Sequence, residues 1–166
     1  ADVLGGKTAI WSLGDTVVHT GRTFLTPALS SPVTYKVIQS DDKPAGNVGP
    51  ATNSFAGGGN HNTGFEGKLL FETFVPLKLI SILMYAQGAG DRTIRLYDEN
   101  DVELQSITVP LVNGQNRVTL NLDIPAPGRY SLGNMSQNLY RNNTGAEYPY
   151  EIDNLISIYS SNATDD

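Results

Sequence analysis

Asn116-Arg117-Val118-Thr119-Leu120-Asn121-Leu122-Asp123-Ile124 alternates polar and apolar residues without a break. Val118, Leu120, Leu122 and Ile124 fall on one side of an extended chain. Arg117, Thr119, Asn121 and Asp123 fall on the other. A period of two marks a strand with one face buried and one in water. Antiparallel sheets are the ones that commonly leave a face solvated.

The same pattern spreads outward from this stretch. Thr93-Ile94-Arg95-Leu96-Tyr97 alternates, Asp98-Glu99-Asn100-Asp101 reads as a turn, and Val102-Glu103-Leu104 resumes the alternation. The phase slips between Leu104 and Ile107, which predicts a β-bulge. Val112-Asn113-Gly114-Gln115 carries the Asn-Gly signal of a tight hairpin. Lys68 to Phe74 and Leu77 to Tyr85 are apolar on both faces and read as central strands, with Pro76 breaking the chain between them. Thr8 to Leu13, Thr16 to His19, Val33 to Gln39 and Leu155 to Tyr159 add further strands. No useful length of chain holds a helical apolar period. Strands at this spacing, with turn signals between them, predict an all-β fold: an antiparallel β-sandwich of jelly-roll or Ig-like type.

Composition narrows the function classes. The chain of 166 residues is long enough for a substantial core, and its 17 glycines and 9 prolines suit many turns. Net charge is −6, and no Lys/Arg run is present, so nucleic acid is not an expected partner. The absence of cysteine excludes a disulfide scaffold, Cys-zinc sites and thiol catalysis. No apolar run reaches the roughly 18–20 residues of a membrane-spanning helix. The start at Ala1, not Met, fits a mature form left by signal-peptide cleavage, so an extracellular or cell-surface location is expected.

Catalytic signatures are lacking. His19 and His61 are the only histidines, and neither sits in a nucleophile motif. There is no Gly-x-Ser-x-Gly elbow. The carboxylates fall mostly in turns or on solvent-facing strand positions, so no enzymatic activity is expected. Asp41-Asp42 and Asp98-Glu99-Asn100-Asp101 offer hard oxygens suited to a structural calcium, but neither has EF-hand spacing. Turn residues capping their own backbone are the preferred reading, and no cofactor is expected. Ser40 to Gly67 reads as a long loop, with Gly57-Gly58-Gly59 as a flexible tip and not a phosphate loop.

One stretch has binding chemistry. Tyr140, Tyr148 and Tyr150 supply rings, and Arg141, Asn142 and Asn143 supply planar donors and acceptors. Sugars present C–H faces to rings and hydroxyls to such groups. The plainer alternative is that the tyrosines pack a loop and Arg141 caps carbonyls. Asn134, Asn142 and Asn162 head acceptor sequons, which matter only in a source that glycosylates asparagine.

From Gly64 to Tyr159 the chain resembles accessory β-sandwich modules of secreted, multidomain Bacteroidetes surface proteins. The matching pieces are Tyr85-Ala86-Gln87-Gly88-Ala89-Gly90-Asp91-Arg92-Thr93-Ile94, Leu96-Tyr97-Asp98, Val118 to Pro125, Leu139 to Asn143 and Tyr148-Pro149-Tyr150. The resemblance implies a non-catalytic carbohydrate-binding or adhesive unit. It also implies an aromatic-rich closing strand, which the segment after Tyr159 lacks. A sandwich of residues 20–166 without that strand would offer an open sheet edge, a template for another strand. The N-terminal segment, residues 1–19, is a candidate donor. Its Lys7 to Leu13 run follows Gly5-Gly6, and Thr8, Ile10, Trp11 and Leu13 are the residues expected to fill the edge, in the same chain or in a neighbour. The expected function is a structural or adhesive subunit that assembles by strand exchange into a homopolymer, such as a filament or surface layer. The alternative is a carbohydrate-binding module with a polysaccharide as partner.

Overall fold

The computed structural model describes residues 8–40, 46–54, 57–61, 64, 66–135 and 138–162. Gly5, Gly6, Lys7, Asp41, Asp42 and the sequon residues Ser136, Ala163 and Thr164 therefore lie outside the described residues. All the regular elements described are strands, and every pairing is antiparallel. The all-β expectation from period-two alternation is met.

Contacts divide the chain into two units, Ala1–Ala45 and Gly46–Asp166. The sequence reading placed a boundary at residue 19. In the first unit, β1 (Thr8–Leu13) lies between β2 (Thr16–Thr20) and β3 (Lys36–Ser40). Both of its hydrogen-bonding edges are thus occupied within the same chain. Trp11 is buried, and its Nε1 donates to the Gly21 carbonyl at 2.9 Å. Phe24 gathers the aromatic residues, with ring centroids 5.7 Å from Trp11, 5.3 Å from His19 and 5.2 Å from Tyr35. The Trp11 ring is tilted against Phe24, that of His19 is stacked on it and that of Tyr35 meets it edge-on, and aromatic contacts add to area burial. Val17, Val18, Val37 and Ile38 on the outer strands remain exposed.

In the second unit, β4 (Gly58–His61), β5 (Glu66–Thr73), β6 (Leu77–Ala86), β7 (Gly90–Asp98), β8 (Glu103–Leu111), β9 (Gly114–Ile124), β10 (Gly128–Met135), β11 (Leu139–Asn142), β12 (Tyr150–Ile152) and β13 (Ile156–Ser161) form two sheets. One has six strands in the order β12-β13-β5-β10-β7-β8, the other four in the order β4-β11-β6-β9. The core joins Phe71, Ile94, Leu96, Val109, Leu111 and Ile156 of the larger sheet to Met84, Ala86, Leu120, Leu122, Ile124 and Leu139 of the smaller. This is a sandwich, and the alternation read from Asn116 to Ile124 holds residue by residue along β9. Lys68–Phe74 and Leu77–Tyr85 supply internal strands, as expected, although Ile80 and Phe74 are about half exposed.

Four local features differ from the sequence reading. The Asn113-Gly114 turn does not close a hairpin within one sheet: β8 belongs to the larger sheet and β9 to the smaller, so the turn is an arch between layers. Asn116 accepts from Val112 N and donates to the carbonyls of Val112 and Gly114, and Asn113 Oδ1 accepts from Gly88 N at 2.8 Å. The turn chemistry was legible; which sheet each flank joins depends on distant partners. The predicted bulge lies one step earlier, with Leu104 as the extra residue opposite Leu96 and Tyr97. A second bulge places Leu120 and Asn121 opposite Ile80, with Asn121 at φ 52°. The Gly57-Gly58-Gly59 run is not a loose tip: Gly58–His61 is a strand on β11. A Cβ at Gly58 would strike the Arg141 carbonyl and lie 2.7 Å from the Tyr140 hydroxyl, so a bare backbone is required there.

The side of the sandwich near the arch has an additional clip. Gln105 Nε2 donates to the Asp123 carbonyl at 2.6 Å, and Asp123 N donates back to Gln105 Oε1 at 3.3 Å. A side-chain amide thereby pairs the backbone of one residue, Asp123, on the outer edge of β9. Leu96 is fully buried, so Leu96→Ala should cost about 2–5 kcal/mol in urea denaturation, whereas Ile80→Ala, at an exposed position, should stay within about 0.5 kcal/mol.

Candidate functional site

The Tyr140 to Tyr150 stretch is divided by the fold. Tyr140, Arg141 and Asn142 lie on β11 in the smaller sheet, while Tyr150 opens β12 at the edge of the larger. Tyr140 meets Tyr85 of β6, ring centroids 6.5 Å apart at 62°. Tyr148 meets Tyr150 at 5.4 Å and 70°, across a cis Tyr148-Pro149 bond. Arg141 pairs with Gly59, Asn142 Nδ2 donates to the Asn53 carbonyl at 3.0 Å, and Asn143 N donates to the Gly57 carbonyl at 3.1 Å. Asn142 and Asn143 thus fasten neighbouring chain to the sheet. The sequence did not point to Tyr85, because it sits in a strand that reads as apolar on both faces.

Two open hollows flank β12. One, of about 270 Å³, is lined by Pro50, Gly145, Glu147 and Tyr150, and the Tyr150 hydroxyl accepts from Glu147 N at 3.0 Å. The other, of about 220 Å³, is lined by Phe74, Glu151, Ile152, Asp153 and Asn154, with Ser157 Oγ donating to Glu151 Oε1 at 2.7 Å. Both fall short of the roughly 300–1,000 Å³ of enclosed small-molecule sites.

The remaining sequence candidates have structural duties. Thr8, Ile10, Trp11 and Leu13 all lie on β1, the middle strand of the first unit. Asn162 Nδ2 donates to the Glu66 carbonyl and its Oδ1 accepts from Lys68 N at 2.7 Å, which extends the β13–β5 ladder by one side chain. Asn134 lies in β10. Asp98 Oδ1 accepts from Asn100 N and Val102 N, both at 2.9 Å, so this carboxylate caps the β7–β8 turn. Among the described residues, no group of three His, Asp or Glu is placed to hold a metal ion.

The densest polar cluster lies on the outer face of the larger sheet. Lys68 Nζ is 2.7 Å from Asp101 Oδ1, 3.9 Å from Glu66 Oε2 and 3.8 Å above the Tyr97 ring. Tyr97 donates its hydroxyl to Glu66 Oε1 at 2.8 Å, and Arg95 Nε lies 3.2 Å from Glu103 Oε2. Gly133 makes room, since a Cβ there would lie 2.9 Å from Lys68 Cγ. Each charge faces an opposite one, an arrangement suited to fixing a sheet face.

No family model, curated protein or solved structure matches this chain.

Burial, followed by the bond to Glu66, pushes the Tyr97 phenol from 10.0 up to about 12. The folded state therefore holds this proton more tightly than the unfolded chain does. That contribution is fully present below pH 10 and is lost as pH rises from 10 to 12. A loss on the order of 2–3 kcal/mol across this window is expected in denaturant titrations, and Tyr97→Phe should flatten it.

Proposed function

We propose that this protein is a non-catalytic, secreted structural or adhesive subunit that assembles by strand addition. The supporting observation is the asymmetry of β6. On its β9 side the ladder runs from Leu77 to Ala86. On its β11 side it is bridged only at Ala86–Leu139, with Gln87 N donating to the Asn138 carbonyl just beyond. Leu77 to Tyr85 therefore have no ladder partner on that side among the described residues. Leu77, Leu79 and Ile82 pack against the core beside it, and Ile80 is 52% exposed.

An unpaired edge of this length is a template for an incoming strand. Main-chain hydrogen bonds would supply affinity, and alternate side chains would enter the core beside Leu79 and Ile82. On the outer edge of β9, the end strand of the sheet, Gln105 clips one residue, Asp123. The donor expected from the sequence, β1, is held between β2 and β3 in this structure, so it would have to leave that sheet to serve. Exposed Val17, Val18, Val37 and Ile38 offer the alternative of association along the outer strands of the first unit.

Concentration-dependent association should appear in sedimentation velocity, with hydrogen exchange in Leu77–Tyr85 slowing as oligomers form. Ile80→Lys, an exposed change that guards an edge, should weaken association at least about tenfold and leave thermal stability nearly unchanged. A strict monomer at every concentration, or oligomers without protection of β6, would reject strand addition at this edge.

A further inference from the structure

The outer face of the smaller sheet aligns a row of four side chains that sequence distance conceals. Tyr85 on β6 stands directly opposite Gln115 on β9. Leu139 pairs with Ala86, which sets Tyr140 beside Tyr85, and their rings touch at 6.5 Å. Tyr140 in turn stands opposite Asn60 on β4. Directly opposed residues project to the same face of a sheet. That face is the solvent side, because the neighbours Met84, Ala86 and Leu139 are buried in the core. The row reads amide, ring, ring, amide. With strands about 4.8 Å apart, its four positions span about 14 Å.

We infer that this row is a binding platform for an uncharged polysaccharide. The row contains no carboxylate and no ammonium. Its rings can take the C–H face of a sugar, and its flanking carboxamides can both donate to and accept from hydroxyls. Gln115 and Asn60 are exposed, while Tyr85 and Tyr140 are half-buried and held by each other. The bare backbone of Gly58 leaves space for the Tyr140 ring, whose Cε1 would lie 2.9 Å from a Cβ at that position. A ring held in place loses little side-chain freedom on binding. Arg117, one row along and opposite Leu83, places its Nη1 3.4 Å from Ser81 Oγ and adds a donor at the margin. The platform stands apart from strand addition: it sits at the Ala86 end of β6, where β11 already occupies the edge.

Affinity electrophoresis of the full chain tests this. Native gels would contain hydroxyethylcellulose, xyloglucan, galactomannan or dextran, with polygalacturonate as the anionic comparison. At least one neutral polymer should retard the protein. Tyr85→Ala and Tyr140→Ala should weaken that retardation at least about tenfold in dissociation constant, as expected for truncating an aromatic anchor. Gln115→Ala, an exposed change that leaves the core intact, should weaken it several-fold and serves if either tyrosine variant fails to fold. Tyr148→Ala should leave it unchanged. The inference is overturned if no neutral polymer retards the protein or if only polygalacturonate does. It is equally overturned if retardation survives Gln115→Ala unaltered, or if Tyr148→Ala alone abolishes it.

Discussion

The second unit depends on burying the inward stripe of β9 against the larger sheet. Leu120, Leu122 and Ile124 are each at most 4% exposed, and Ile94 and Leu96 face them from the same core. Burying side chains of this size contributes roughly 1.5–3 kcal/mol each, the largest favourable contribution available to a chain without disulfides. The stripe survives a bulge. Asn121 absorbs the extra residue at a positive φ, so Leu120 and Leu122 both still point inward. Asparagine tolerates that conformation far better than a β-branched residue would.

Side-chain amides complete what the ladders leave open. Gln105 clips Asp123 on the edge of β9, Asn116 ties the arch, and Asn162 extends β13 along β5. In each case a carboxamide supplies a donor and an acceptor to backbone groups that no ladder pairs. The many asparagines thereby acquire a structural rationale besides sequons. The charged cluster around Lys68 and Glu66 plays a related part on the outer face, where Gly133 lets long side chains lie flat across a strand.

These same devices are unevenly distributed, and that unevenness bears on function. One margin of the smaller sheet is clipped and arched. Among the described residues, its interior strand β6 has a ladder partner from Leu77 to Ala86 on one side and a single bridge on the other. The proposed strand addition and the proposed glycan contact at the Tyr85–Tyr140 row would use different parts of the same sheet, the first its hydrogen-bonding edge and the second its side-chain surface.

Local pattern was enough to read the all-β class, the inward and outward residues of β9, and the capped turn at Asp98. Each follows from local geometry, namely a two-residue period or an Asx side chain reaching its own backbone. The glycine strand β4 was not legible, because glycine carries no strand propensity and the crowding that requires a bare backbone at Gly58 comes from the distant Tyr140 and Arg141. Nor was the separation of Tyr140 from Tyr148 and Tyr150, since residues close in sequence can enter different sheets. The rows of a sheet are assembled from distant segments, so Gln115, Tyr85, Tyr140 and Asn60 become neighbours only through register. The sequence by itself determined which residues seek burial. Tertiary pairing decided which strands lie side by side, because register is a relation between segments and is not a property of any one of them.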